Sequence, residues 1–149
     1  MPTTLHIRKA ATNDASCIAR LSGELGYAAS EEEVRGRLIE LSLLPTTHVV
    51  FVAESEGRAL GWASGEVRVL LETGRRAEIT GLVVDASARC CGIGSGLVAE
   101  LESWAQERDC GVIMARSNIM RAESHPFYEQ LGYLRAKTQH AYMRVLHAA

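Results

Sequence analysis

The stretch LVVDASARCCGIGSGLVAELESW, Leu82 to Trp104, decides the fold. It opens as an apolar, β-branched run and stops at Asp85. It then passes an arginine and three glycines and becomes a helix, with Leu97, Val98, Leu101, Trp104 and Ala105 on one face. A strand, a helix of about 15 residues and the strand-like Val112–Ala115 form the crossover that a parallel pair needs, and such crossovers are right-handed. The helix therefore begins at the carboxyl end of a central strand. Free backbone N–H groups and the positive end of the helix dipole meet there, which makes a site for an anion.

The junction itself is Arg89-Cys90-Cys91-Gly92-Ile93-Gly94-Ser95-Gly96. Glycine adopts positive φ without steric cost and lets amides close on a ligand oxygen. A Walker loop would end in Gly-Lys-Ser/Thr, and the lysine is absent. A dinucleotide fingerprint asks for a small sixth residue, which counted from Gly92 is Leu97, and it normally opens the chain. A turn serving only geometry also accounts for the glycines. Arg89 shifts the balance, because a guanidinium beside free amides suits a diphosphate.

Outward from this unit, Leu5–Arg8 alternates as a short strand. Thr12-Asn13-Asp14 offers side-chain caps to a helix with inner residues Ile18, Leu21 and Leu25, stopped by Gly26. Ser30 and Glu33 have capping-box spacing before a second helix with Val34, Leu38 and Leu41 inside, closed by Pro45. His48–Ala53 and Leu60–Leu71 read as a hairpin about Glu56-Gly57, and Arg76–Asp85 as the fourth strand after the turn Glu72–Arg75. Ser124–Leu131 reads as a short helix ended by Gly132, with terminal strands at Tyr133–Ala136 and Ala141–Leu146. The expectation is one compact α/β or α+β domain over residues 1–149.

A chain of 149 residues is long enough to bury one substantial core. With 47% apolar and 23% charged residues it has the profile of a soluble globular protein. A formal charge of -2 gives no basic field for nucleic acid or an anionic membrane, so neither is an expected partner. No run is apolar and long enough to read as a membrane span, and Met1–His6 has no signal pattern. Cys17, Cys90, Cys91 and Cys110 have no metal-type spacing, and the adjacent pair is a poor disulfide, so they read as free thiols in a reducing cytoplasm. No metal site is expected.

Arg89-x-x-Gly92-x-Gly94 resembles the Gln/Arg-x-x-Gly-x-Gly/Ala motif of the GNAT superfamily of N-acetyltransferases. The preceding AEITGLVVD and the following amphipathic helix agree with that context. A second stretch, RSNIMRAESHPFYEQLGYLRAKTQH, is similar to the family's Asn-ending strand followed by a helix bearing Phe-Tyr-x-x-x-Gly-Tyr/Phe. The resemblance covers nearly the whole chain. It implies a mixed central sheet of about seven strands with about four helices, the fourth and fifth strands splayed. It implies acetyl-CoA as co-substrate, its pyrophosphate on Arg89, Cys90, Cys91, Gly92, Ile93, Gly94, Ser95 and Gly96. The pantetheine arm would run beside Leu82, Val83 and Val84, with Asn118, Phe127 and Tyr128 contributing contacts.

The implied activity is acetyl transfer to a primary amine of a small molecule, directly within a ternary complex. A lysine or N-terminal protein acceptor is an alternative; so is a catalytically silent acyl-CoA-binding regulatory module. Such an amine is mostly protonated at neutral pH, so a proton must leave, the thioester oxygen needs an N–H donor, and the departing thiolate an acid. Glu78 is the candidate base: mid-strand burial would raise its pKa, and alternation puts it with Thr80 and Leu82 on one face. A solvent-facing or arginine-paired carboxylate is the competing reading. His48, His125 and His140 are reserve bases. By resemblance, the N–H of Leu82 or Val83 meets the oxyanion, with Gly81 permitting a bulge, and Tyr128 is the acid. Core aromatics are the plainer reading of Phe127-Tyr128. Ser124 as cap with Pro126 just inside fits a helix that starts late. Cys90 and Cys91 raise the prospect of oxidation in the loop. Glu24, Glu31, Glu32 and Glu33 would suit a cationic acceptor, or simply a solvated helix start. Relatives are often dimers, so a homodimer is an open expectation.

Overall fold

The computed structural model describes residues 4–24, 26–89, 91–116 and 124–147, except the side chains of Ser124 and His125. Leu25, Cys90, Asn118 and those two side chains therefore lie outside the described residues. The chain divides into two compact units, Met1–Arg116 and Ser117–Ala149.

The first unit runs β1 (His6–Lys9), α1 (Ala15–Gly23), α2 (Glu31–Ser42), β2 (His48–Ser55), β3 (Arg58–Leu70), β4 (Gly74–Val84), α3 (Ile93–Glu107) and β5 (Ile113–Ala115). The strands lie side by side in chain order. All neighbours are antiparallel except β4 and β5, which α3 joins as a parallel pair. Ser55 pairs with Arg58 across a two-residue turn in which Glu56 and Gly57 both have positive φ, the turn whose twist matches a right-twisted strand pair.

The helix starts follow from local hydrogen bonding. At α2 the capping box forms reciprocally: Glu33 N–H donates to Ser30 Oγ at 3.1 Å and Ser30 N–H to Glu33 Oε1 at 3.0 Å. At α1 the expected side-chain cap is absent, and Thr12–Asp14 is a 3-10 turn instead. The Asp14 carboxylate accepts from Ala11 N–H at 2.7 Å and from Arg8 at 2.8 Å, which leaves it unavailable to the helix.

Helices cover both faces of the sheet. Ala15 and Ile18 of α1 and Val34 and Leu38 of α2 form a core with Val52, Ala59 and the half-buried Trp62. Neighbouring residues on a strand point to opposite faces, so Gly61 and Gly65 face the other way, toward α3. A methyl at Gly61 would lie 2.9 Å from the Val83 carbonyl oxygen and 3.2 Å from the Ile93 side chain, which is why the helix can settle so close only over glycine. Leu97, Val98 and Leu101 are almost wholly buried there. Each contributes about 1.5–3 kcal/mol relative to exposure, enough to fix the helix and with it the junction at its start.

The sheet has five strands among the described residues, not about seven. In the second unit Tyr133–Ala136 and Ala141–Leu146 form no strand, and Leu134, Tyr142, Met143, Val145 and Leu146 are exposed. Alternation says which faces a strand would present, but names no edge for it to pair with. That unit does carry α4 (Ser124–Gln130), closed by Gly132 at φ 92, with Tyr133 N–H donating to Tyr128 O at 3.0 Å and Gly132 N–H to Glu129 O at 3.1 Å. The mixed sheet and the four helices agree with expectation.

Candidate functional site

β4 pairs with β5 only over Ala77–Ile79 against Ile113–Ala115. From Thr80 to Val84 its outer edge has no strand partner among the described residues. Along the same stretch Gly81 opposes Ser64 while Ile79 opposes Gly65, leaving Thr80 as an inserted residue. That is the expected bulge, one residue before Gly81.

The bulge corrects one expectation. Glu78 opposes Glu66 and Leu82 opposes Ala63, and residues three apart on β3 face opposite sides. Glu78 and Leu82 therefore do not share a face. Thr80 stays with Glu78, because its hydroxyl lies 2.7 Å from that of Ser64. Leu82 and Val84 are half-buried and Val83 is buried opposite Trp62.

Beyond β4, Asp85 shapes the approach to α3. Its Oδ1 accepts from Ser87 N–H at 2.9 Å and Ser87 Oγ–H at 2.7 Å, while Oδ2 lies 3.2 Å from Arg20 and 3.4 Å from Arg58. The Ser87 contacts, helped by Arg20 and Arg58, hold its carboxyl down to about 2 against the opposing cost of burial. Sequence reading stopped the strand at Asp85 without seeing this role. The signal was Asp-x-Ser, a side chain two residues before a group that it can cap.

Arg89, Cys91 and Gly92 are exposed, and Cys91 is a free thiol whose S–H donates to Arg89 O at 3.7 Å. Gly92 stands at the helix start in left-handed geometry, φ 79, and no side chain caps α3. The first intrahelical bond there runs from Gly96 N–H to Gly92 O at 3.0 Å. The N–H groups of Ile93, Gly94 and Ser95 precede it, as donors a helix start cannot use internally. A methyl on Gly92 would meet nothing within 4 Å, so the space before the helix is open. Uncapped donors, open space and an exposed guanidinium fit a diphosphate.

Glu78 is 8% exposed but not solitary. Arg116 Nε donates to its Oε1 at 2.9 Å, and Arg68 Nη1 lies 3.5 Å from its Oε2. This is the arginine-paired arrangement. Arg68 also reaches Glu66 at 3.6 Å, and Glu66 lies 3.3 Å from His48 Nε2, whose Nδ1 meets Thr47 Oγ1 at 2.8 Å. A charged floor thus crosses the sheet through His48, Glu66 and Glu78, which are opposed in register. Sequence reading missed Glu66, Arg68 and Arg116; alternation on β3 would have marked the first two once the β3–β4 register was known.

In the second unit the Phe127 and Tyr128 rings meet edge to face at 5.1 Å, and Tyr128 and Tyr133 lie 5.6 Å apart. Burial pushes the Tyr128 phenol above its ordinary value, which keeps its proton in place. His140 is exposed near Tyr142. Among the described residues there is no group of three or more His, Cys, Asp or Glu able to hold a metal, and no helix long and apolar enough to cross a membrane.

The acetyltransferase (GNAT) family model matches residues 16–133. Glucosamine 6-phosphate N-acetyltransferase 1 of Oryza sativa subsp. japonica is 32% identical over 114 residues, covering 74% of this chain and 67% of that one. Among solved structures, glucosamine-6-phosphate N-acetyltransferase from Arabidopsis thaliana superposes with a TM-score of 0.80 at 24% identity, covering 94% and 98% of the two chains. Aminoglycoside N-acetyltransferase AAC(6')-Iy in complex with CoA gives 0.86 at 18% identity, with 97% of each chain covered. At these identities the two structures speak for the fold alone.

Proposed function

This chain belongs to the acetyltransferase (GNAT) family, and on that premise we propose that it acetylates a primary amine of a small molecule by direct transfer from acetyl-CoA. The observation that carries the reading is the junction of β4 and α3. The β4 edge from Thr80 to Val84, which has no strand partner among the described residues, leads into a helix start whose first N–H donors have no side-chain cap there and beside which Arg89 is exposed. An edge of that kind accepts an extended amide-bearing arm as an added strand. The curated relative acts on an amino-sugar phosphate and a fold neighbour on aminoglycosides, both small amines.

Each proposed role belongs to a residue of this chain. The N–H groups of Ile93, Gly94 and Ser95, with Arg89, hold the diphosphate oxygens. Cys90, Cys91, Gly92 and Gly96 complete that loop. Leu82, Val83 and Val84 present backbone to the pantetheine arm, with Asn118 and Phe127 as further contacts. Bound acetyl-CoA supplies the thioester carbonyl. The N–H of Leu82 or Val83, turned by the bulge at Thr80, stabilises the charge that grows on the carbonyl oxygen. Glu78 takes the ammonium proton through water, because its own oxygens are already bonded to arginine. Tyr128, its proton retained by burial, donates to the departing thiolate.

Calorimetry with acetyl-CoA, followed by thiol release against a panel of primary amines, tests the reading. Saturable binding and amine-dependent thiol release are expected. No heat of binding and no thiol release with any amine would overturn it.

A further inference from the structure

We infer that the acceptor carries a small oxyanion beside its amine, and that Arg116 is the residue that grips it. The inference rests on the proposed acetyl transfer for its place in the molecule, but not for its chemistry. Arg116 follows β5, and the pairing of Ile79 with Ala115 sets it beside Thr80, where the described pairing of the two strands ends. It thus stands at the described end of the parallel pair. Among the described residues only its Nε is engaged, by the buried Glu78 at 2.9 Å, and its side chain is 61% exposed. Among the described residues its Nη1 and Nη2 bond to nothing. A guanidinium fixed at Nε by a buried carboxylate presents its remaining N–H groups as a preset fork. That geometry matches a phosphate or carboxylate.

The surrounding charge favours the same sign. On this face of the sheet Arg68 opposes Arg76, a like-charge pair directly across two strands, which is unfavourable unless something offsets it. Arg68 is offset by Glu66 and Glu78. Arg76 is half-buried and makes no ion pair among the described residues. Three guanidiniums therefore meet two carboxylates, with His48 adding a further charge when protonated. Three of the four acidic residues that would favour a polycation pair with arginines. Glu24 pairs with Arg20 at 3.6 Å, Glu31 with Arg35 at 2.6 Å and Glu33 with Arg37 at 3.7 Å. Glu32 alone of the four has no such partner among the described residues. An amine bearing its own anion neutralises the excess, whereas a polycationic amine adds to it.

The test compares kcat/KM for glucosamine, glucosamine 6-phosphate, a glucosamine-derived amino acid and a polycationic aminoglycoside. Calorimetry on the coenzyme-loaded protein adds a readout that needs no turnover. A preference of about tenfold or more for the two anionic amines over glucosamine is expected, narrowing as salt rises. Their order separates phosphate from carboxylate. Arg116→Gln should erase most of that ratio and Arg116→Lys only part of it; Arg76→Gln, at a half-buried strand position, should reduce it by a smaller factor. Glucosamine or the aminoglycoside turned over as well as the phosphate ester, or a ratio unmoved by Arg116→Gln, overturns the inference and leaves acetyl transfer standing. If no amine is turned over, acetyl transfer itself fails, and calorimetry still decides: phosphate-ester binding that Arg116→Gln weakens supports the anion site, and equal binding of the uncharged sugar refutes it.

Discussion

Replacing Asp85 with Asn removes one charge from the hinge between β4 and α3, with little change in shape. In the folded protein the carboxyl sits at about 2 rather than 3.8, held there by the Ser87 N–H first, then the Ser87 hydroxyl, then Arg20 and Arg58. Each tenfold change in a protonation constant is worth about 1.36 kcal/mol, so the full displacement corresponds to about 2.5 kcal/mol. The Arg20 and Arg58 side chains are 43% and 63% exposed. Water screens their share, which leaves about 1.5 kcal/mol. The folded value lies below the unfolded one, so this stability is fully present above pH 3.8 and is lost as the pH falls toward 2. At neutral pH the Asn variant should melt roughly 3–6 °C below the parent, by scanning calorimetry, for a chain of this size. The gap should begin to close below pH 3.8. Because Ser87 leads directly into Ala88 and Arg89, the variant should also bind acetyl-CoA several-fold more weakly at pH 7. Equal melting temperatures at neutral pH, or a gap that stays constant into acid, would refute the assignment of Asp85 as the hinge's electrostatic anchor.

Gly92→Ala meets no neighbour within 4 Å but must hold φ 79, so about 1 kcal/mol of stability should be lost, with a larger proportional loss of acetyl-CoA affinity by calorimetry. Gly81→Ala would set a methyl 2.7 Å from the Trp62 ring and 3.0 Å from Ser64 Oγ, costing roughly 1–3 kcal/mol in denaturant unfolding. Pairing it with Trp62→Leu should recover part of that loss, and strictly additive effects would argue against the contact. Tyr128→Phe should lower kcat on the order of ten- to a thousandfold with coenzyme affinity near that of the parent. Glu78→Gln should lower kcat in the thiol-release assay; activity surviving both substitutions would show the two roles to be wrongly assigned.

Much of the first unit could be read from its residues because local and tertiary demands coincide there. The α3 stripe of Leu97, Val98, Leu101 and Trp104 is a helical period that can be satisfied only against a sheet, and it is buried as expected. Ser30 and Glu33 close their box within four residues, with no help from elsewhere. Thr12–Asp14 misled because two claims competed for one carboxylate. Arg8 and the Ala11 N–H took it, and no local propensity records a strand arginine six residues upstream. The terminal strands misled for a different reason. A strand is defined by its partner, and the alternation at Ala141–Leu146 carries no information about one.

The candidate site divides along the same line. The Arg89–Gly96 loop is contiguous, so its backbone geometry is legible locally: Gly92 stands where φ is positive, and no side chain caps the start of α3 among the described residues. Glu78 is different, because its meaning depends on residues 38 positions ahead, at Arg116, and ten behind, at Arg68. Both reach it through strand register, and the register carries one inserted residue at Thr80. Simple alternation across that insertion assigns Leu82 to the wrong face, and with it the side of the sheet from which an amine would approach. The same insertion lets the strand use both faces at once. Glu78 keeps to the charged floor on one side, while past the bulge Leu82 and Val83 stay paired with β3, so that only one of their two backbone amides points to the other edge of the strand. The glycine after Thr80 is what the crowding of Trp62 permits there.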